Sequence, residues 1–227
     1  KGLDIDGEAA QDNSGESVSM PNSNTVAIGA RFNSDNGSNA GHARVYQWDG
    51  TSWVQKGQDI DGDAAMDRFG EVLYMPDPNT LAVASLYNDM PNEDFGLVRI
   101  YTWDGSSWVQ KGQTLYGESR FDGFGSSMSM PNSNLIAIGA TFNDGNSANS
   151  ADNRGHVQVY QWDGALWQQI GLDIDGEAAG DNSARSVSMP SDDVLAIGAN
   201  NNNGFAGHVR VYELEPLILE VVSDTID

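Results

Sequence analysis

The chain has 227 residues, 33 acidic side chains against 11 basic ones, and a formal net charge of −22 at pH 7. Such an excess of negative charge repels the phosphates of a nucleic-acid backbone, so no nucleic-acid partner is expected. The sequence has no cysteine, which excludes disulfides and thiolate metal sites, and no apolar stretch reaches the length of a membrane-spanning helix, so direct membrane insertion is not expected.

A short acidic motif returns four times along the chain. Residues 2–7 read Gly-Leu-Asp-Ile-Asp-Gly, and similar sequences occupy residues 57–62, 112–117 and 171–176. A repeat of about 55 residues is typical of propellers and related architectures. We therefore predict a single repeat domain over residues 1–227. Its units span approximately 7–61, 62–116, 117–175 and 176–227, and residues 1–6 are the remnant of a preceding outer strand.

Within the first unit the pattern predicts four strands, at residues 14–20, 25–30, 41–48 and 53–60. The first run alternates polar and apolar residues, which is typical of a half-buried strand. The second run, Thr-Val-Ala-Ile-Gly-Ala, is small and apolar and indicates a strand buried on both faces, with Gly29 marking the close approach of another backbone. Asp49-Gly50 is a hairpin signal between the third and fourth runs.

Equivalent runs follow in the later units. They lie at residues 69–75, 80–85, 96–103, 108–115, 124–130, 135–140, 155–162, 167–174, 184–189, 194–199 and 207–214. Residues 214–227 align with residues 48–61, so we expect them to form a degenerate fourth strand of the last unit. No segment has sustained helical periodicity. The prediction is an all-β protein, a β-propeller built from four tandem four-stranded antiparallel blades, as a four-bladed ring or as part of a larger ring, because a ring protects the sheet edges.

Short motifs inside these runs have a familiar form. Phe-Gly occurs at residues 69–70 and 124–125, and Ala-Ile-Gly-Ala occurs at residues 27–30, 137–140 and 196–199. With these motifs in register over essentially its whole length, the chain resembles the FG-GAP repeat family, which builds the propeller of integrin α subunits. The resemblance implies a propeller used in adhesion or ligand binding. It does not extend to the calcium loop of DxDxDG type between the first and second strands, because the turns at that place are short and poor in carboxylates.

Carboxylates cluster instead in the loop that enters each unit. Alternating acids can offer converging oxygens to a hard cation, so possible Ca²⁺ binding is predicted. The alternative is that these carboxylates cap N–H groups of turns and face water. The third unit has Thr114 and Tyr116 at the first two positions and keeps only Glu118 and Asp122. The candidate metal ligands are Asp4, Asp6, Glu8, Asp12, Asp59, Asp61, Asp63, Asp67, Asp173, Asp175, Glu177 and Asp181.

A second candidate surface is the loop between the second and third strands. It varies in length and sequence while the flanking strands stay nearly constant, and such loops often hold function on a rigid scaffold. Its amides, carboxylates and aromatic rings suit sugar hydroxyls, although ordinary drift of a surface loop explains the variation as well. The candidate ligand-binding residues are Asn33, Asp35, Asn88, Asp89, Asn143, Asp144 and Asn202.

Histidine and tryptophan also recur at fixed positions. His42, His156 and His208 share one position, at which the second unit has Leu97, so a packed strand histidine is favoured over a metal ligand. The Trp-Asp-Gly motifs that begin at residues 48, 103 and 162 favour packing between blades over stacking on a ligand.

No nucleophile–base pair or paired-carboxylate arrangement stands out from the repeats, so no catalytic residue is predicted. The favoured function is a non-catalytic extracellular or cell-surface adhesion module that recognises a protein, glycan or matrix partner through the variable loops. One alternative is a structural repeat module that associates with copies of itself. A further alternative is a polysaccharide-active enzyme.

Overall fold

The structure, a computed structural model, describes residues 1–87, 95–145 and 152–214. Over this part of the chain it is made of strands joined by turns, with one irregular turn of helix, α1 (Asn202–Phe205), that includes three residues with positive φ. The strands are β1 (Ser17–Asn22), β2 (Thr25–Ala30), β3 (His42–Trp48), β4 (Trp53–Gln55), β5 (Ile60–Asp61), β6 (Val72–Asp77), β7 (Thr80–Ser85), β8 (Leu97–Trp103), β9 (Trp108–Gln110), β10 (Leu115–Tyr116), β11 (Phe124–Asn132), β12 (Leu135–Ala140), β13 (His156–Trp162), β14 (Trp167–Gln169), β15 (Ile174–Asp175), β16 (Ser186–Ser191), β17 (Val194–Ala199) and β18 (His208–Glu213).

These strands form four antiparallel sheets in chain order, which confirms the predicted all-β propeller of four tandem blades. Blade 1 comprises β1–β5, blade 2 β6–β10, blade 3 β11–β15 and blade 4 β16–β18. Each sheet runs from an inner strand through a buried second strand to a third strand. The first strand of each blade pairs only with the second strand. Pro21 therefore lies in an edge strand, where its missing N–H does not remove a hydrogen bond between strands.

The predicted fourth strand is present in blades 1 to 3, but it is divided into two short pieces. In blade 1, β4 pairs with the end of β3 through Trp48 and Trp53, whereas β5 pairs with the start of β3 through His42 and Asp61. Lys56 N still donates a hydrogen bond to the carbonyl oxygen of Val45 in β3 at 2.7 Å. Residues 57–59 then leave the ladder, and the acidic end of the strand lies beside His42. In blade 4, the expected fourth strand at residues 214–227 lies, apart from Leu214, outside the described residues.

Neighbouring blades pack face to face, with small side chains on one blade and larger ones on the next. At the first joint Ala27, Ala43 and Val45 of blade 1 meet Leu73 and Val83 of blade 2. The other joints repeat this arrangement, with Ala82 and Ala84 against Ile136 and Ile138, and Ala137 and Val157 against Leu195 and Ile197. Burial of these apolar side chains is the main stabilising contribution at each joint.

The first and last blades each leave one face exposed. Val18 and Met20 of blade 1 are 58% and 55% exposed, whereas Leu73 and Met75, their equivalents in blade 2, are buried. On the opposite face of blade 4, Val209 and Val211 are also largely exposed, whereas the corresponding residues of the other blades lie in the joints (Ala43, Val45, Val98, Ile100, Val157 and Val159). The described residues therefore form a run of four blades with two free end faces.

Tryptophan pairs close the outer part of the joints, as predicted. Trp108 Nε1 donates a hydrogen bond to the carbonyl oxygen of Lys56 in blade 1 at 2.7 Å, and Lys56 Nζ lies 5.1 Å from the centre of the Trp103 ring. A Cβ on Gly57 would lie 2.5 Å from the same ring, so only glycine fits there. Residues 1–6 make equivalent contacts on blade 1, where Trp53 Nε1 donates to the carbonyl oxygen of Lys1 at 2.9 Å.

Candidate functional site

The two groups of loops that the sequence treats as separate surfaces meet at one end of the blades. We call this end the loop rim; it consists of the entry loops before β1, β6, β11 and β16 and the loops that follow β2, β7, β12 and β17. Within blade 1, Phe32 N donates to the carbonyl oxygen of Asp12 at 3.3 Å, and in blade 3 Phe142 N donates to that of Asp122 at 2.9 Å. In blades 1 and 3 the two kinds of loop therefore form one surface.

The base of the rim loop in blade 1 also joins this blade to the next one. Arg68 N donates to the carbonyl oxygen of Asn39 at 3.1 Å, and Phe69 N donates to that of Ala40 at 2.8 Å. Gly41 and Phe69 form a short parallel bridge at the same place. The described loop base is thus part of the joint.

The last acid of each predicted metal set acts as a buried cap for its own loop. Asp12 Oδ2 accepts hydrogen bonds from Ala9 N at 3.0 Å and from Asn33 Nδ2 at 3.2 Å. Asp67 and Asp181 accept the equivalent bonds from Ala64 N and Ala178 N at 2.9 Å each. These contacts match the capping half of the alternative to calcium binding, but the three capping carboxylates are buried and do not face water.

Two of the predicted ligand-binding asparagines are also engaged inside the chain. Asn33 and Asn143 are 2% and 4% exposed, and the side-chain oxygen of Asn143 accepts a hydrogen bond from Gly145 N at 2.6 Å. Among the other predicted residues, Asp35 is exposed and Asp144 and Asn202 are partly exposed, whereas Asn88 and Asp89 lie outside the described residues. Ligand contact by this set stays a prediction.

Among the described residues, ligand atoms converge in two groups, and neither group is the set of acids from one entry loop. The groups are Glu8, His42 and Asp59 in blade 1 and Glu118, His156 and Asp173 in blade 3, and the ligand atoms within each lie within 4.8 Å of one another. Asp59 joins Glu8 because β5 pairs with the start of β3, as described above. Asp4, Asp6, Asp61, Asp63, Asp175 and Glu177 lie outside these two groups, and their metal binding stays a prediction.

Both histidines are almost completely buried beside these acids. His42 and His156 are each 1% exposed, and His42 Nδ1 lies 3.7 Å from Glu8 Oε2 and 4.0 Å from Asp61 Oδ1. His156 Nδ1 lies 3.9 Å from Asp173 Oδ2. Burial lowers the pKa of His156, an effect that the neighbouring carboxylates oppose, so its imidazole is neutral at neutral pH.

The sequence predicted that these histidines are packed, and they are, but it gave them no part in a cation site. A signal was available, because the second unit loses both the histidine and the acid together, with Leu97 and Thr114 at the two positions. In blade 2, Asp63 is instead paired with Arg99.

Aromatic rings occupy the outer surface of the rim. Phe121, Phe142 and Phe205 are 57%, 46% and 79% exposed, and the guanidinium carbon of Arg68 lies 4.3 Å from the centre of the Tyr87 ring.

Residues 5–46, which include the first entry loop, β1, β2 and most of β3, match the model of the FG-GAP repeat. Residues 5–46 are thus similar to an FG-GAP repeat. The match confirms the resemblance drawn from the short motifs. The turn between β1 and β2 is as short as the sequence predicted, because Asn22 and Thr25 pair directly and leave only two residues between them. This turn is too short for the calcium loop of DxDxDG type. No curated protein sequence matches the chain. No helix among the described residues is long and apolar enough to cross a membrane.

Proposed function

We propose that this FG-GAP repeat chain is a non-catalytic extracellular binding module that recognises a glycan through the loop rim. The observation that supports the proposal is the solvent exposure of three rings on the rim, Phe121 and Phe142 in blade 3 and Phe205 in blade 4. The carboxylate of Asp35, in the rim loop of blade 1, is exposed as well. The C–H faces of sugar rings pack on aromatic faces, and their hydroxyl groups donate to carboxylates and amides. The rigid blade joints hold these groups in place before a ligand arrives, which reduces the entropic cost of binding.

A glycan array with the purified chain tests this proposal. Phe142→Ala is the informative variant, and Leu166→Ala is the matched control, because Leu166 is equally exposed at 46% but lies in the hairpin between β13 and β14 at the opposite end of the blade. We expect Phe142→Ala to weaken binding of the selected glycan at least tenfold and Leu166→Ala to leave it unchanged. Absence of glycan binding, or equal loss in both variants, contradicts the proposal.

A second candidate function, self-association, is favoured by the two free end faces. Val18 and Met20 on blade 1 occupy positions that, in the later blades, pack against the preceding blade. Val209 and Val211 on blade 4 occupy positions that, in the earlier blades, pack against the following blade. In the internal joints, serines of the first strand form hydrogen bonds to the next blade; Ser17 Oγ, for example, donates to the carbonyl oxygen of Gly70 at 2.6 Å. Ser186 and Ser188 occupy the equivalent register positions on blade 4. One copy could therefore continue the run of another.

Sedimentation velocity at increasing concentration tests self-association. Val211→Asp places a charge on the free face of blade 4, and Val109→Asp is the control on an exposed outer strand of blade 2. Concentration-dependent assembly that only Val211→Asp abolishes, together with an empty glycan array, supports a structural module over a glycan-binding one. A monomer at all concentrations contradicts this second candidate. For a polysaccharide-active enzyme, the described residues offer no favouring observation, and we do not propose it.

We also propose that the rim binds a divalent cation. Such an ion would bind groups from two loops of one blade and so connect them. Ca²⁺ is the ion that the alternating carboxylates predict. Thermal unfolding with millimolar Ca²⁺ and with a chelator is the direct measurement. An unchanged melting temperature contradicts a structural role of calcium.

A further inference from the structure

We propose that blades 1 and 3 each contain a transition-metal site of the zinc class, formed by one histidine nitrogen and two carboxylates. The ligands are Glu8, His42 and Asp59 in blade 1 and Glu118, His156 and Asp173 in blade 3. This assignment names an ion class and two histidines that the calcium prediction does not include, and it holds whether or not the rim binds a glycan.

The observation that points to an ion is the state of the two imidazoles. The Nδ1 atoms of His42 and His156 are buried and have no hydrogen-bond partner, and both face carboxylate oxygens. A neutral imidazole with an unprotonated Nδ1 would direct its lone pair at these carboxylates, which is unfavourable without a cation between them. A metal ion satisfies the nitrogen and both acids at once.

The donor set decides the class of metal. Calcium prefers six to eight oxygens, whereas imidazole nitrogen combined with carboxylate oxygen suits zinc and its neighbours in the first transition row. Tetrahedral bonds of 2.0–2.1 Å place ligand atoms about 3.3 Å apart. The observed limit of 4.8 Å therefore needs a small movement, and Glu8 and Glu118 lie in solvent-exposed loops where such a movement is easy. A water molecule can complete the shell.

Neighbouring side chains orient the carboxylates, as second-sphere groups do in metal sites. Gln158 Nε2 donates to Glu118 Oε1 and to Asp173 Oδ1 at 3.1 Å each, and Gln169 Nε2 donates to the same oxygen of Asp173 at 2.7 Å. Blade 3 therefore holds both of its acids in position beside His156.

Blade 1 differs from blade 3 in one charged neighbour. Arg44, at the position of Gln158, lies 3.1 Å from Glu8 Oε1. Its positive charge opposes a cation at that place, so we expect blade 1 to bind the ion more weakly than blade 3.

Blade 2 shows what the same position looks like without the metal ligands. Blade 2 has Leu97 in place of the histidine and Thr114 in place of the second acid, and Asp63 forms an ion pair with Arg99 there. Blade 4 keeps His208 3.7 Å from Glu177, but the position of its third ligand lies outside the described residues.

The experiment measures zinc uptake by the full chain after treatment with a chelator. Zn²⁺ alone is titrated by calorimetry, and retained metal is counted by mass spectrometry after desalting. We expect two ions per chain, one in either His42→Leu or His156→Leu, and none in the double variant, with the change to leucine copied from blade 2. His208→Leu is the control that should keep two. Co²⁺ should give the intense visible absorption of a tetrahedral site in the wild type and in His208→Leu, a weaker absorption in each single variant, and none in the double variant.

Folding of the variants is checked by circular dichroism. Asp173→Asn, which changes a half-buried group just before β15, provides a second way to remove one ion without disturbing the core. No zinc uptake by the wild type overturns the proposal. Equal uptake by the double histidine variant, or displacement of Zn²⁺ by an equal concentration of Ca²⁺, also overturns it. Zinc uptake is measured without any glycan, so its failure is separate from failure of the proposed function.

Discussion

At the scale of single residues, chemically identical aspartates have opposite electrostatic environments in this protein. Burial raises the pKa of Asp122 to about 6, although Asn143 and the backbone of Ser119 donate hydrogen bonds to it. Asp49 lies at an exposed hairpin, where the backbone N–H groups of Ser52 and Thr51 lower its pKa to about 2. The two residues should therefore affect stability in opposite directions and in different pH ranges.

The Asp122→Asn variant tests this difference. The folded pKa of Asp122 is above its unfolded value of about 3.8, so its favourable contribution is present at low pH and is lost as pH rises from about 4 to 6. Asparagine keeps an acceptor oxygen but does not titrate. We expect the variant to lose this decline and to gain about 1–2 kcal/mol in unfolding free energy at pH 7 relative to pH 4.

Urea denaturation at a series of pH values provides the measurement. Asp49→Asn is the control, because the stabilising contribution of Asp49 is lost as pH falls through about 2 and its removal should leave the range from pH 4 to 6 unchanged. A wild-type decline between pH 4 and 6 that survives in Asp122→Asn would count against the buried carboxylate as its source.

At the scale of the strand, the close approach that Gly29 predicts is present in the first joint. A Cβ on Gly29 would lie 2.0 Å from the backbone oxygen of Gly70 in the next blade and 2.3 Å from Ser17 Oγ. Gly198 occupies the same position in blade 4 and would meet only its own sheet, with Ser186 Oγ at 2.5 Å. The cost of a methyl group should therefore depend on whether another blade follows.

Gly29→Ala should destabilise the protein by about 1–3 kcal/mol, because the first joint must move apart to accept the methyl group. Gly198→Ala is the matched control, and the hydroxyl of Ser186 can rotate away, so its effect should stay within about 0.5 kcal/mol. Chemical denaturation of both variants gives the comparison. Equal losses would mean that strand geometry, rather than the blade joint, sets the requirement for glycine.

At the scale of the whole molecule, 33 acidic and 11 basic residues make mutual repulsion a general cost of the folded state. Salt shortens the screening length from about 30 Å at 0.01 M to about 3 Å at 1 M. With a chelator present, we expect the melting temperature at pH 7 to rise by several degrees over this range of sodium chloride.

The control for the salt effect uses pH instead of mutation. Near pH 4 the chain is close to its isoelectric point of about 4.1, where net repulsion is small and the gain from salt should largely disappear. A rise of the same size at both pH values would assign the effect to salt acting on apolar surface rather than to charge.

The blade pattern could be predicted from the sequence because its signals are local. Alternation in the first strand, the small apolar run of the second and the Asp49-Gly50 hairpin each act over a few residues, and the four copies agree. The division of the outer strand after residue 56 could not be predicted, because it depends on which residues of β3 pair with each piece: Tyr46 with Gln55 in one and Ala43 with Ile60 in the other. The candidate site was only partly predictable for the same reason.

The sequence by itself determined the all-β repeat, the positions of the joints and the excess of negative charge, since these follow from periodicity and composition. Only the tertiary structure decided which carboxylates meet. Asp12 became a buried cap, whereas Glu8 met His42 and Asp59, residues 34 and 51 positions away along the chain. Strand pairing places residues by hydrogen-bond register rather than by sequence distance, so a ligand set shared by two loops has no local signature.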